Sequence, residues 1–216
     1  GMDYKEALQR MHDRGLLRLI PMGPCFGLTR SMLWRLMPVF DDEVGVTVCR
    51  DVDSWESTRT RKMVDEFTGF GGSVHAIHDS ESHSGPLMGG MTAFNAVRFR
   101  EHFPGIKNLD ELIALADGCR FDYDVHGTDQ RFLNSVVWPR LSSRAVIHTR
   151  REELAYPAMK TLPVTGYFDD SDKVIRHLGA AYPWDKAWAW LKQNPPANIA
   201  DIEACEIGVN HQVLRS

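Results

Sequence analysis

The chain has 216 residues, 43% of them hydrophobic and 25% charged, the proportions of an ordinary globular domain rather than a disordered or fibrous one. A net charge of −4 provides no basic field to draw it to nucleic acid or to an acidic membrane surface. No apolar run approaches the roughly 18 residues that span a bilayer and no secretory leader opens the chain, so a cytoplasmic protein with neither a transmembrane segment nor a nucleic-acid partner is expected.

In chain order, residues 3–14 place Tyr4, Ala7, Leu8 and Met11 at helical spacing, and Gly15 stops the run. Leu16–Ile20 is a short strand candidate ended by Pro21. Thr29–Met37 reads as a second helix, capped by Thr29 and closed before Pro38. Val44–Cys49 alternates β-branched residues and reads as a strand. Ser57–Phe67 follows as an amphipathic helix ended by Gly69, Gly71 and Gly72, and Val74–Ile77 as another strand. His78–Gly90 reads as a loop rich in His, Ser and Gly, after which Met91–Arg98 resumes order. Leu109–Ala116 and Gln130–Val137 read as helices, the latter stopped by Trp138-Pro139, and Val146–His148 as a strand. Trp184–Gln193 is a last short helix, whose Trp184, Trp188 and Trp190 suit a core edge.

Strands that alternate with helices imply an α/β fold with a mixed, mostly parallel sheet flanked by helices. No repeat, low-complexity tract or linker divides the chain, so one domain over 2–216 is expected. The four cysteines, Cys25, Cys49, Cys119 and Cys205, share no metal-binding spacing and read as reduced thiols.

The chemistry concentrates where the valine-rich strand ends, in Arg50-Asp51-Val52-Asp53-Ser54. Ligands of α/β sheets bind beyond the carboxyl ends of strands. Residues two apart in extended chain point to one side, so Asp51 and Asp53 can face one ligand. Two like charges so close need a proton or a cation between them, and a hard divalent ion that also grips a diphosphate suits the pair. A solvated acidic turn is the plain alternative. Downstream, Gly89-Gly90 permits close backbone approach to a ligand or makes a tight turn, and Asp129 either caps its helix or faces the pocket.

Taken in order, Arg50-Asp51-Val52-Asp53-Ser54, Leu87-Met88-Gly89-Gly90-Met91 and Gly127-Thr128-Asp129-Gln130 with Phe132-Leu133-Asn134 and Trp138-Pro139 resemble the bacterial GT-A-type glycosyltransferases. These are the D-x-D enzymes of polysaccharide biosynthesis that use nucleotide-diphosphate sugars; the glycogenin-like group is a distant likeness. The resemblance covers roughly residues 28–140, with residues from about 141 to 216 expected as a helical C-terminal extension. It implies a GT-A-like fold that transfers a sugar from a nucleotide-diphosphate donor to a glycan or other acceptor. Asp51 and Asp53 would hold Mn²⁺ or Mg²⁺. Asp129 would be the catalytic acidic residue that contacts sugar or acceptor, a base if the enzyme inverts. Arg50, Gly89, Gly90 and Gln130 would contact the substrate. His177, in His177-Leu178-Gly179 ahead of Pro183-Trp184, matches the family's late metal-binding histidine, with His148 a second candidate; His75, His78 and His83 read as loop polar groups. The residues ahead of Asp51 leave room for about one and a half βαβ units of roughly 30 residues each, so an abbreviated N-terminal half is expected. Two other functions fit parts of the pattern. One is a catalytically degenerate sugar-nucleotide-binding or interaction domain. The other is a haloacid-dehalogenase-like phosphatase with Asp51 as nucleophile and Lys160 as its lysine.

Overall fold

The protein is described by a computed structural model, which covers residues 4–22, 24, 29–51, 54, 58–79, 83, 85–116, 121–150, 154, 156 and 158–164. Helix α1 (Tyr4–Asp13) forms as its periodicity requires. The apolar stretch after it is no strand. Leu16 and Ile20 stay more than half exposed, at 54% and 53%, and no strand among the described residues pairs with them. Alternation alone does not make a strand where no neighbouring backbone offers a ladder.

The next helix is a 3-10 helix, Ser31–Phe40, rather than an α-helix closed before Pro38. Thr29 does not cap it; its N–H and Oγ1 both donate to the Tyr123 carbonyl, at 2.7 and 2.8 Å. Pro38 has no N–H to give to the Arg35 carbonyl three residues back, and the Cys49 thiol donates there instead, at 3.6 Å. The helix buries Leu33, Leu36 and Val39 against the sheet.

Among the described residues five strands form one sheet in the order β1-β3-β2-β4-β5: β1 (Val46–Arg50), β2 (Val74–His78), β3 (Met91–Asn95), β4 (Ala145–Thr149) and β5 (Lys160–Pro163). β3 is antiparallel to both β1 and β2, while β2, β4 and β5 run parallel. Four strands therefore point one way and only β3 is reversed. The α/β architecture with a mixed sheet flanked by helices agrees with the expectation, but the sheet is not mostly parallel in its pairings, two of which are antiparallel and two parallel. The expected helical extension beyond about residue 141 does not agree as far as the structure describes it, since that region contributes β4 and β5.

Helix α2 (Thr58–Phe70) runs three residues past its expected end. Gly69 is tolerated inside it, and Gly71, at a φ of 64°, turns the chain out. Met63 and Phe67 of α2 cover Ile77, Met91, Ala93 and Val146 on one face of the sheet. The other face carries Cys49, Val74, Ala76, Phe94, Ala145 and Ile147 and packs on the larger core. That core includes Phe99 of α3 (Ala96–His102) and Leu112 of α4 (Leu109–Ala114). Two layers of helix around one sheet is the arrangement alternating strands and helices favour.

The motif beginning at Gly127 was expected to form a helix stopped by Trp138-Pro139. The helix continues instead, through α5 (Thr128–Phe132), a π-helical turn (Leu133–Val137) and α6 (Trp138–Leu141). The widened turn just before Pro139 relieves the clash between a proline ring and the carbonyl one turn back. Trp184–Gln193 lies outside the described residues. Among the described residues no helix is long and apolar enough to cross a membrane.

Candidate functional site

The carboxyl ends of β1, β2 and β4 share one edge of the sheet, and β3 begins at that edge because it is reversed. This registers Arg50 of β1 beside Met91 of β3, so the Gly89-Gly90 turn that leads into β3 lies against Asp51. A Cβ on Gly90 would run into the Asp51 carboxylate. One on Gly89 would stand 2.7 Å from Arg35 Nη1 and 3.4 Å from Asp129 Oδ2. The two glycines thus make room for charged groups arriving from three other parts of the chain.

A cavity of about 490 Å³ opens at this place, within the size range of small-ligand clefts. Arg50, Asp51, Gly89, Gly90, Asp129 and Gln130 line it together with Met32, Arg35, His126 and Gly127. Six of the eight residues named from the sequence therefore meet around one opening. The other two, Asp53 and His177, lie outside the described residues. Asp129 does not cap its helix. Gly127 takes the cap position, at a φ of 82° and with no side-chain bond, and Asp129 turns into the cavity only 5% exposed.

Arg35 was not foreseen as part of this site. Its Nε donates to the Met32 carbonyl at 2.7 Å and its Nη1 forms an ion pair with Asp51 Oδ1 at 3.1 Å. Local pattern gave no sign of it, because Arg35 occupies a polar position on an amphipathic helix and its partners are distant in sequence. Arg50 donates to the carbonyl of Cys49 at 2.6 Å. The Cys49 thiol lies in the same neighbourhood and is pushed up to about 11, by burial first, with Arg35 and Arg50 opposing.

The donor set bears on whether a divalent ion suits the cavity. A guanidinium already stands against Asp51 as a stand-in cation, and the Asp51, Asp129 and Gln130 oxygens are hard donors of the kind Mn²⁺ and Mg²⁺ take. Among the described residues no three Asp, Glu, His or Cys groups complete a site by themselves. Asp51, Asp129 and Gln130 are the oxygen donors of this kind that the described residues bring to the cavity.

Asn134, one helical turn beyond Gln130, joins two of these stretches. Its Oδ1 accepts from Leu87 N–H at 2.8 Å, and its Nδ2 donates to the carbonyls of Leu87 and Gln130, at 2.9 and 2.8 Å. One amide thus ties the segment ahead of Gly89-Gly90 to the helix that carries Asp129 and Gln130.

Two further polar groupings lie on or beside the central strands. His148 is no candidate metal ligand, since both its nitrogens are engaged. Its Nε2–H donates to Glu66 Oε2 at 2.8 Å and its Nδ1 accepts from His75 Nε2–H, also at 2.8 Å. His75 belongs to the core rather than to a loop. It is 0% exposed and stacks on Phe67, and its Nδ1 has no hydrogen-bond partner among the described residues. Burial first, then His148, Arg50 and His78, holds the His75 pKa well below the ordinary histidine value. Burial likewise lowers that of His148, against the opposing pull of Glu66. At the end of β2, the buried Asp79 carboxylate is gripped by Arg59 at 3.2 Å and Arg150 at 3.1 Å, while its N–H donates to His83 Nδ1. His78 Nε2–H donates to the Pro86 carbonyl at 3.1 Å and its Nδ1 accepts from Tyr156 OH at 2.9 Å. These contacts fasten the loops after β2 and β4 to each other.

No protein-family model matches the chain, and neither a curated protein nor a solved structure matches it significantly.

Proposed function

We propose that the protein is a GT-A-like glycosyltransferase that moves a sugar from a nucleotide-diphosphate donor to a glycan or other acceptor. One observation carries the reading. Arg50-Asp51, Gly89-Gly90 and Asp129-Gln130 come from three distant stretches of sequence, and all six residues line a single cavity at the carboxyl edge of the sheet. Ligands of α/β folds bind at that edge.

In this reading Asp51 and Asp53 hold Mn²⁺ or Mg²⁺. The ion, when bound, neutralises the diphosphate that leaves with the electron pair of the glycosidic bond. The chain's own residues do the rest. Arg50 and Arg35 add positive charge beside the leaving group. Gly89 and Gly90 let the backbone approach the transferred sugar with no side chain between them. Asp129, nearly buried, orients a sugar hydroxyl, or takes the acceptor proton if the configuration inverts. The phosphatase reading is not supported by the position of its lysine. Lys160 begins β5, at the opposite end of the strands from Asp51, with its ammonium over the Phe70 ring at 5.4 Å.

The test is binding of UDP and GDP with and without Mn²⁺, followed by thermal shift. Stabilisation that needs both nucleotide and metal, and that is lost in Asp51→Asn, is expected. A melting temperature indifferent to every nucleoside diphosphate with Mn²⁺ would overturn the proposal. Binding without sugar transfer to any acceptor or to water would instead identify the degenerate domain.

A further inference from the structure

The cavity contains a cation of its own, and its placement bears on how a divalent ion could enter. Arg35 is fixed at both ends. Its backbone carbonyl takes the Cys49 thiol and its Nε is spent on Met32, so the side chain rises from the 3-10 helix in one direction. The guanidinium is 18% exposed and lies over Gly89, where a Cβ would displace it, with Nη1 on Asp51 Oδ1. The partner carboxylate is 42% exposed and can turn. The Arg35 end of the ion pair is the more buried and has a second bond at its Nε, and the Asp51 end is the more exposed.

From this geometry we infer that Arg35 is the resident counter-ion of Asp51 and competes with the divalent ion for it. The inference rests on the proposed donor site and adds to it a residue that sets metal affinity. When metal and diphosphate bind together, Asp51 turns from the guanidinium to the metal, and Arg35, still held by Met32 over Gly89, is left facing the diphosphate. The two events are coupled by charge. Metal alone loses the Asp51–Arg35 pair and gains a like-charged neighbour, whereas metal with a diphosphate supplies anionic oxygens to both cations. The site then selects the metal–nucleotide complex over free metal. The nucleotide, rather than the ion, becomes the first requirement for occupancy.

The experiment is Mn²⁺ binding to the full chain, read from the electron paramagnetic resonance signal of free Mn²⁺, with and without UDP. Arg35→Met keeps the aliphatic stem and removes the charge; Arg35→Lys keeps a charge that cannot make the same fork. Melting curves of both establish that they fold. Arg35→Met should bind Mn²⁺ alone about three- to tenfold more tightly than the unmodified chain, the size of a half-exposed ion pair together with one removed like charge. It should also bind UDP more weakly in the presence of Mn²⁺, with Arg35→Lys between the two. In an Asp51→Asn background the gain in Mn²⁺ affinity from Arg35→Met should shrink to what the removed like charge alone contributes, and an undiminished gain would overturn the competition for Asp51. Unchanged or weaker Mn²⁺ binding in Arg35→Met, with the unmodified chain still taking up Mn²⁺ and UDP together, overturns the role of Arg35 and leaves the donor site standing. Failure of the unmodified chain to bind that combination overturns both.

Discussion

Acidifying the solution should unfold this protein from its centre, because a wholly buried histidine cannot accept the proton that the unfolded chain takes up. His75 stacks on Phe67 with ring centroids 5.3 Å apart, donates its one N–H to His148, and has no solvent contact through which a charge could be hydrated. Its folded-state pKa lies well below the ordinary value of 6.5, so the unfolded chain binds more protons below that value. The sign follows directly: the contribution to stability is complete above about pH 6.5 and is lost as pH falls, by roughly 1 kcal/mol per unit until the folded group itself titrates. Between about pH 7.5 and 5.5 His75 alone should cost about 1 kcal/mol. His148 shifts in the same direction, with less effect, because Glu66 favours its charged form. Urea unfolding at both pH values, for the unmodified chain and for His75→Phe, measures the effect. The variant will be less stable at every pH, having left His148 Nδ1 without its donor, but it should lose about 1 kcal/mol less on acidification. If both chains lose the same amount, the buried neutral histidine is not what makes the fold sensitive to acid.

Two other expectations concern the cavity. Gly90→Ala puts a methyl group where the Asp51 carboxylate lies; because that carboxylate is half-exposed and free to swing away, the expected cost in stability is under about 1 kcal/mol. Metal-dependent nucleotide binding should fall at least about tenfold, the loss of one positioned charged ligand, and calorimetry with Mn²⁺ and UDP will show it. Asn134→Leu strands the Leu87 N–H and carbonyl, while the Gln130 carbonyl keeps the Leu133 N–H, and should destabilise by about 2–4 kcal/mol in urea unfolding. Amide exchange in that variant should rise first at Leu87 and in the Gly89-Gly90 turn.

The elements that were legible are those whose own residues decide the outcome. β1 forms as its β-branched residues favour, although Val46 and Val48 take the exposed side and Thr47 and Cys49 the buried one; β2 has Val74, Ala76 and Ile77 at its centre, and α2 has a 3.6-residue stripe that Met63 and Phe67 carry onto the sheet. β5 was invisible, since Lys160-Thr161-Leu162-Pro163 is short, mostly exposed and ends in proline; it is a strand because β4 offers it a partner. Leu16–Ile20 shows the converse, a strand-like pattern with no partner strand among the described residues. The boundary between β3 and α3 was passed over although Asn95 marks it, its Oδ1 accepting from Arg98 N–H at 3.0 Å in a regular cap. At the site, the acidic and glycine residues were readable as types with a chemical purpose. Arg35 and the His75–His148 pair were not, because their meaning lies in neighbours that only the folded chain brings within reach.

The reversal of β3 has a consequence for how such a protein could vary. β2 ends and β3 begins at the same rim of the sheet, so the connection between them is anchored at both ends on one side of the domain. A change of length there need shift no strand against another, provided that Leu87 keeps its place in the core and Asp79 its arginines. Under the proposed transferase reading, changes of acceptor preference would be sought where this connection joins the rim, at Asp79 and Leu87.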